Sequence, residues 1–283
     1  MASCALTKRG VMNPDLTSQI ERAADAVRNA SALVIGAGAG MGVDSGLPDF
    51  RGSEGFWKAY PAFRGKQFSQ ISNPIWFQTD PAQAWGFFGH RYNLYRNTVP
   101  HEGFQALKRI GDRMPLGCFV FTSNVDGQFQ AAGFQEEYIV ECHGSIHHLQ
   151  CCNHCSPEIW PAKNLQVAVD EVEIRAVGDL PACKHCEAFA RPNILMFGDY
   201  AWLSSRTERQ EKRFRSWLSQ AGQAGNLVAV ELGAGTAIPT VRWECARWAD
   251  THIRINPRDA EIDDGISIPL GAREALEAIE NAL

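Results

Sequence analysis

The apolar run Ala32-Leu33-Val34-Ile35 passes almost directly into Gly38-Ala39-Gly40-Met41-Gly42-Val43-Asp44-Ser45-Gly46-Leu47-Pro48-Asp49-Phe50-Arg51, and this junction constrains the fold more than any other stretch. Four apolar residues read as a short buried strand. Glycines just after such a strand let the backbone turn sharply and approach a pyrophosphate with no Cβ in the way. The glycines do not spell G-x-G-x-x-G with its acidic ribose ligand, so an ordinary dehydrogenase fits poorly. A tight strand-to-helix connection without a ligand is the competing reading. Pro48-Asp49-Phe50-Arg51 weighs against it, because arginine suits a bidentate grip on phosphate and the proline stiffens the loop that presents it.

Further strands of the same kind follow. Cys118-Phe119-Val120-Phe121 ends in Thr122-Ser123-Asn124-Val125-Asp126-Gly127, and Tyr138-Ile139-Val140-Glu141 runs into Cys142-His143-Gly144-Ser145. Leu227-Val228-Ala229-Val230-Glu231-Leu232 ends in Gly233-Ala234-Gly235, and His252-Ile253-Arg254-Ile255 in Asn256. Strands that each end in small or polar residues, with helices between several of them, predict a doubly wound parallel α/β sheet of Rossmann-like type. A helix led by a capping-box pattern at Ser18–Glu21 precedes the first strand. Another is expected from Asp80 to Arg96, and a polar helix from about Ser204 to Gln220, its arginines on a solvated face. Between them, the irregular aromatics from Phe56 to Phe88 suggest a mobile flap, although a small aromatic core has the same signature. The larger domain is therefore expected at 15–55, 100–147 and 198–283. Helical residues 56–99 and a cysteine-rich insert at 148–197 would form the smaller one.

The insert carries the strongest metal signal. Cys183-Lys184-His185-Cys186 is a C-x-x-C pair, and Cys151, Cys152 and Cys155 offer its counterpart as C-x3-C or C-x-x-C. Four thiolates gathered this way suit a closed tetrahedral zinc, with His154 or His185 able to replace one sulfur. A redox role for the C-x-x-C lacks the thioredoxin-like βαβ context. No apolar run approaches a membrane span and the first residues have no signal-peptide core, so a reducing, cytoplasmic setting is expected, where such cysteines bind metal rather than form disulfides. The net charge of −5 argues against nucleic-acid or anionic-membrane partners. No motif fixes an assembly state.

His143 by itself reads as a structural histidine or as a base. The ordered set of Gly38-Ala39-Gly40, Asp49-Phe50-Arg51, the 122–127 segment, Cys142-His143-Gly144-Ser145 and a four-cysteine insert resembles the sirtuins, NAD-consuming protein deacylases, from about Ala23 to the C-terminus. The resemblance implies NAD contacts at Gly38, Ala39, Gly40, Asp49, Phe50, Arg51, Ser123, Asn124, Asp126, Gly233, Ala234, Gly235 and Asn256. It assigns Asn124 to the nicotinamide ribose and a bound water, Asp126 to the nicotinamide carboxamide, and His143 to general-base work. Among the zinc candidates it favours Cys151, Cys155, Cys183 and Cys186, one structural ion per chain. Phe197-Gly198-Asp199 resembles the strand along which an extended acyl-lysine peptide pairs. Alignment on Trp85 places Phe88 and Arg91 where sirtuins that accept acidic acyl groups have a Tyr-x-x-Arg pair; Arg91 alone matches, unless it is a solvent-facing helical arginine. The implied reaction starts with attack of the acyl-lysine carbonyl oxygen on the nicotinamide ribose. It ends in free lysine, nicotinamide and O-acyl-ADP-ribose.

The chain also departs from the pattern. Ser123 stands in place of the usual Gln, Gln128-Phe129 in place of Leu-His, and Gly233-Ala234-Gly235 in place of Gly-Thr-Ser. An ADP-ribosyltransferase or NAD hydrolase on the same fold is therefore an alternative expectation, and an NAD-sensing module without turnover a second.

Overall fold

The structure, a computed structural model, describes residues 14–49, 52–163 and 165–283. Phe50 and Arg51, two of the expected cofactor contacts, lie outside the described residues. The chain divides into two compact units, Met1–Asp44 with His101–Phe121 and Phe214–Leu283, and Ser45–Pro100 with Thr122–Arg213. Residues 45–49, 122–147 and 198–213, grouped with the larger domain from sequence, fall in the second unit.

The first unit is built on α1 (Pro14–Arg28), β1 (Ala32–Ala37), α6 (Glu102–Asp112), β2 (Cys118–Thr122), β9 (Leu227–Leu232), α9 (Thr240–Trp248), β10 (Thr251–Ile255), β11 (Ile266–Ile268) and α10 (Ala272–Ala282). The C-terminal half of α8 (Ser205–Ala224) joins it. Its strands run in the order β11-β10-β9-β1-β2, and the β1–β9, β9–β10 and β10–β11 pairs are all parallel. Every residue of β1 and β9 is buried, which explains their unbroken apolar runs. Helix α10 packs against both α1 and α6, α9 packs on β1 and β9, and Phe214 of α8 lies 5.0 Å from Phe119 of β2 between ring centroids. The capping box at Ser18 is not used as one. Helix α1 is already running from Pro14, because Leu16, Ile20, Ala23, Ala24 and Val27 form a buried face that includes the turn before Ser18.

The second unit comprises α2 (Gly52–Ala59), α3 (Phe68–Ile71), α4 (Trp76–Thr79), α5 (Pro81–Asn97), α7 (Gln128–Ala131) and strands β3 (Ile139–Glu141), β4 (Gly144–Cys151), β5 (Trp160–Pro161), β6 (Ala168–Asp170), β7 (Arg175–Val177) and β8 (Ala190–Ile194). The aromatic stretch is a core. Phe56, Tyr60, Phe63, Phe87 and Phe88 are fully enclosed, and Tyr60 and Phe87 meet edge to face at 5.1 Å. Irregular spacing arises because the rings come from the short helix α2 and the turn after it as well as from α5, not from one long helix. Helix α5 starts where Asp80 caps it by accepting from the Gln83 N–H, and Trp85 donates its indole N–H to the Ala190 carbonyl at the start of β8. Strands β5, β4 and β8 form an antiparallel sheet in that order. The arginines of α8 are not all on a solvated face, as expected from sequence. Arg206 is buried and pairs with the buried Glu141 carboxylate at 2.6 Å, a partner that helical periodicity cannot reveal. Among the described residues no helix is long and apolar enough to cross a membrane.

Candidate active site

In the first unit the chain runs from β1 to β2 on one side, while β9 lies on the other. The strand order therefore reverses between β1 and β9. Open α/β sheets bind ligands at the carboxyl ends of strands at such a point, and the glycine loops expected from sequence meet there. The Gly40 N–H donates to the Gly233 carbonyl at 3.0 Å, and the Gly38 N–H to the Leu232 carbonyl at 3.0 Å. A Cβ on Gly40 would sit 2.7 Å from the Gly233 Cα, and one on Gly38 2.7 Å from the Ala234 Cα, so glycine is required for backbones this close. Asn256, at the tip of β10, is fully buried and donates to the Ala234 carbonyl at 3.1 Å while its Oδ1 accepts from the Arg258 and Asp259 N–H groups. His101 anchors the same loop from beneath. Its Nδ1 accepts the Gly103 N–H and its Nε2 donates to the Met41 carbonyl at 2.9 Å. It was not singled out from sequence, where a lone histidine before a helix carries no signal beyond a cap.

In the second unit two segments that are distant in sequence are zipped together. The Cys142 N–H donates to the Thr122 carbonyl at 2.9 Å, and the Ile146 N–H to the Val125 carbonyl at 3.0 Å. Two imidazoles extend the ladder. The ring of His143 is hydrogen-bonded to the Ser123 backbone, and His147 Nε2 reaches the Asp126 carbonyl at 2.8 Å. Ser123, Asn124, Asp126 and His143 are thereby brought into one ladder, and the Thr122 hydroxyl accepts the Asn124 N–H at 3.0 Å. Burial holds His143 below its ordinary pKa, with the Ser123 bond opposing. It is thus neutral near pH 7, with one nitrogen fixed by a carbonyl and the other able to take a proton. Asp126 accepts the Gln128 N–H at 2.9 Å, yet burial, aided by the nearby Glu141 charge, pushes its carboxyl up to about 6.

Of the substrate residues expected from the resemblance, Phe88 and Arg91 lie in the aromatic core and Phe197 and Gly198 in a turn. Arg91 does not point to solvent. It is buried, donates from Nε to the Tyr95 hydroxyl at 3.0 Å, and carries its guanidinium within 6.0 Å of the rings of Phe68, Phe87, Phe88 and Tyr95. Phe88 is enclosed in the core and stacks on Phe77 at 5.7 Å. Phe197 and Gly198 form a turn and not a strand. Asp199 draws the chain round by pairing with buried Arg191 and accepting the Ala201 N–H at 3.2 Å, and the Phe197 N–H is taken by the Ser72 carbonyl at 3.0 Å. Asp49 lies partly buried just before the undescribed pair.

Cys151, Cys155, Cys183 and Cys186 bring their sulfurs within 4.8 Å of one another, with Cys151–Cys186 and Cys155–Cys183 each at 3.6 Å. Sulfurs about 2.3 Å from a central zinc would be separated by about 3.8 Å in a tetrahedron, so the set fits that ion. Backbone N–H groups of Asn153 and His185 point at the Cys151 and Cys183 sulfurs, at 3.3 and 3.4 Å, as turns that stabilise thiolates do. Cys152 stays out of the cluster and packs against the aromatic core. A second trio, Glu231, Cys245 and His252, also brings its ligand atoms within 4.8 Å. The Glu231 carboxylate is already occupied by His252 and Arg254, each at 2.9 Å, with Arg242 at 3.6 Å, and two guanidiniums there oppose a divalent cation.

A parallel sheet with a glycine crossing at its switch point, together with an antiparallel module carrying a four-cysteine cluster able to hold a metal, defines a doubly wound α/β protein. Residues 38–215 match the model of the Sir2 family, and the chain belongs to that family. It is similar to an NAD-dependent protein deacylase of Thermococcus sibiricus, 28% identical over 64% of this chain and 65% of the relative. It is also similar to NAD-dependent protein deacylase 2 of Pyrobaculum aerophilum, 32% identical over 62% of each. Both alignments thus span less than two thirds of the relative's length. Among solved structures, a Sir2 homolog–NAD complex superposes with a TM-score of 0.67 at 20% identity, covering 93% of both chains, which establishes the fold.

Proposed function

We propose that this chain is an NAD-dependent protein-lysine deacylase, releasing nicotinamide and O-acyl-ADP-ribose. The observation that carries the proposal is the ladder between residues 122–127 and 142–147, which brings a neutral, partly buried, backbone-bonded His143 into one segment pair with Asn124 and Asp126. When bound, NAD supplies the electrophilic ribose carbon. His143 would accept a proton from a ribose hydroxyl through the ring nitrogen not held by Ser123, and Asn124 would face that ribose. Asp126, half-protonated near pH 6, can either donate to or accept from a carboxamide. In the first unit, Gly38, Ala39, Gly40, Gly233, Ala234, Gly235 and Asn256 would bind NAD, together with Asp49 and the undescribed Phe50 and Arg51. Zinc at the four cysteines would staple the insert and take no part in bond-making. An acyl-lysine protein or peptide is the second substrate, recognised near Phe197, Gly198, Phe88 and Arg91. Free cysteines with no disulfide among the described residues fit a reducing, cytoplasmic setting.

The test is incubation of the zinc-loaded protein with NAD and a panel of acyl-lysine peptides, with every product identified by mass spectrometry. Free lysine and O-acyl-ADP-ribose are expected. ADP-ribosylated protein or free ADP-ribose in their place would mean a transferase or hydrolase, the outcome to which the replacement of Gln by Ser123 points. No turnover, with NAD still bound, would mean a sensing module.

A further inference from the structure

The position four residues after His143 carries a second imidazole, and the proposed chemistry leaves it without a task. His147 is largely buried on β4, and its Nε2 lies 2.8 Å from the backbone carbonyl of Asp126. A carbonyl only accepts, so Nε2 carries the proton and the tautomer is fixed. The ring also presses on the turn itself. Gly127 has φ +71°, and a Cβ there would lie 2.6 Å from the His147 ring. On its other side the ring packs against Tyr92 at 5.8 Å. The Asp126 carboxylate meanwhile closes its own turn onto the Gln128 N–H. The Asp126–Gly127 turn is therefore held from within by the Asp126 carboxylate on the Gln128 N–H and from outside by the His147 imidazole on the Asp126 carbonyl, so the backbone from which the carboxyl projects is fixed by His147.

We infer that His147 is a positioning residue for Asp126: its imidazole N–H fixes the Asp126–Gly127 turn, and so the affinity for the nicotinamide end of NAD. The inference rests on the assignment of Asp126 to the carboxamide made above. A merely structural histidine filling space would be replaceable by phenylalanine, which keeps the ring against Tyr92 and Gly127 but has no donor. Glutamine keeps a terminal N–H donor at similar reach.

The experiment compares wild type, His147→Phe and His147→Gln as zinc-loaded full chains. Expected for His147→Phe are NAD binding weakened about tenfold by calorimetry, a matching rise in the KM for NAD with the peptide KM unchanged, and faster hydrogen exchange at the Gly127 and Gln128 amides without NAD. His147→Gln should restore all three. Thermal midpoints should differ little. NAD binding by His147→Phe equal to that of wild type, or a loss in His147→Gln as large as in His147→Phe, overturns the inference and leaves the deacylase proposal standing. A wild-type chain that binds no NAD overturns both.

Discussion

His143 shows how a residue's chemistry depends on where its second nitrogen goes. One nitrogen is spent on the Ser123 backbone and burial keeps the ring neutral, so a single nitrogen is left as a base. His143→Ala should therefore lower deacylation turnover by about 10²-fold or more, the usual worth of a general base. NAD affinity, measured by calorimetry, should be retained, because the imidazole holds no phosphate; a variant keeping most of its turnover would end the assignment. Arg91 makes the complementary point. Its guanidinium is desolvated among four rings and reaches a phenol hydroxyl one helical turn away, at Tyr95, where the sequence alignment looked for one at Phe88. Arg91→Met should lower the succinyl-to-acetyl activity ratio, because a desolvated guanidinium favours a carboxylate by more than an exposed one does. Equal ratios in the two proteins would remove Arg91 from acyl selection.

At the scale of elements, β4 ties two sites together. It begins beside His143 and ends at Cys151, so the strand that leaves the candidate base enters the four-cysteine cluster. Among its described residues the segment from Cys152 to Ala190 contains only short strands and turns, and His154 and Glu187 adopt positive φ within it. A segment so poor in regular structure depends on its staple. One zinc per chain should be found by metal analysis. Removing it with a chelator, or by Cys186→Ser, should lower the thermal midpoint and increase protease cleavage between residues 152 and 190 first. Full stability in a metal-free protein would refute the staple. The glycine loops of the first unit behave differently, since backbone hydrogen bonds between Gly40 and Gly233 and the buried Asn256 hold them without any metal.

Across the whole molecule the partly and fully buried imidazoles set the response to acid. His90, His101, His143, His147 and His148 are all held below their ordinary value near 6.5 by burial, His148 down to about 4. On acidification the unfolded chain takes up these protons first, so stability is complete above about pH 6.5 and is lost as pH falls from there toward about 4. Asp126 acts with the opposite sign: its folded value of about 6 exceeds its ordinary 3.8, so it adds stability over that same interval. Five groups oppose one. Urea midpoints of the zinc-loaded protein should therefore fall between about pH 7.5 and about pH 5.5, and a midpoint that rises on acidification would contradict the burial of these rings.

What the sequence determined by itself was whatever is local or written in apolar runs. The strands at 32, 118, 227 and 251, the glycine turns that follow them, and the two cysteine clusters are all legible because a buried parallel strand must be continuously apolar and a metal knuckle must space its thiols closely. Strand β11 escaped because Ile266-Ser267-Ile268 is too short to show a period. Tertiary structure alone decided which partner each buried polar group would have. Arg206 meets Glu141, Glu231 gathers His252 and two arginines, Asp199 folds back onto Arg191 and makes a turn of the expected strand, and His147 clamps Asp126. Each of these pairs is separated by at least eight positions, beyond the reach of any helix or strand repeat. Desolvation makes the pairing obligatory without saying in the sequence who the partner is.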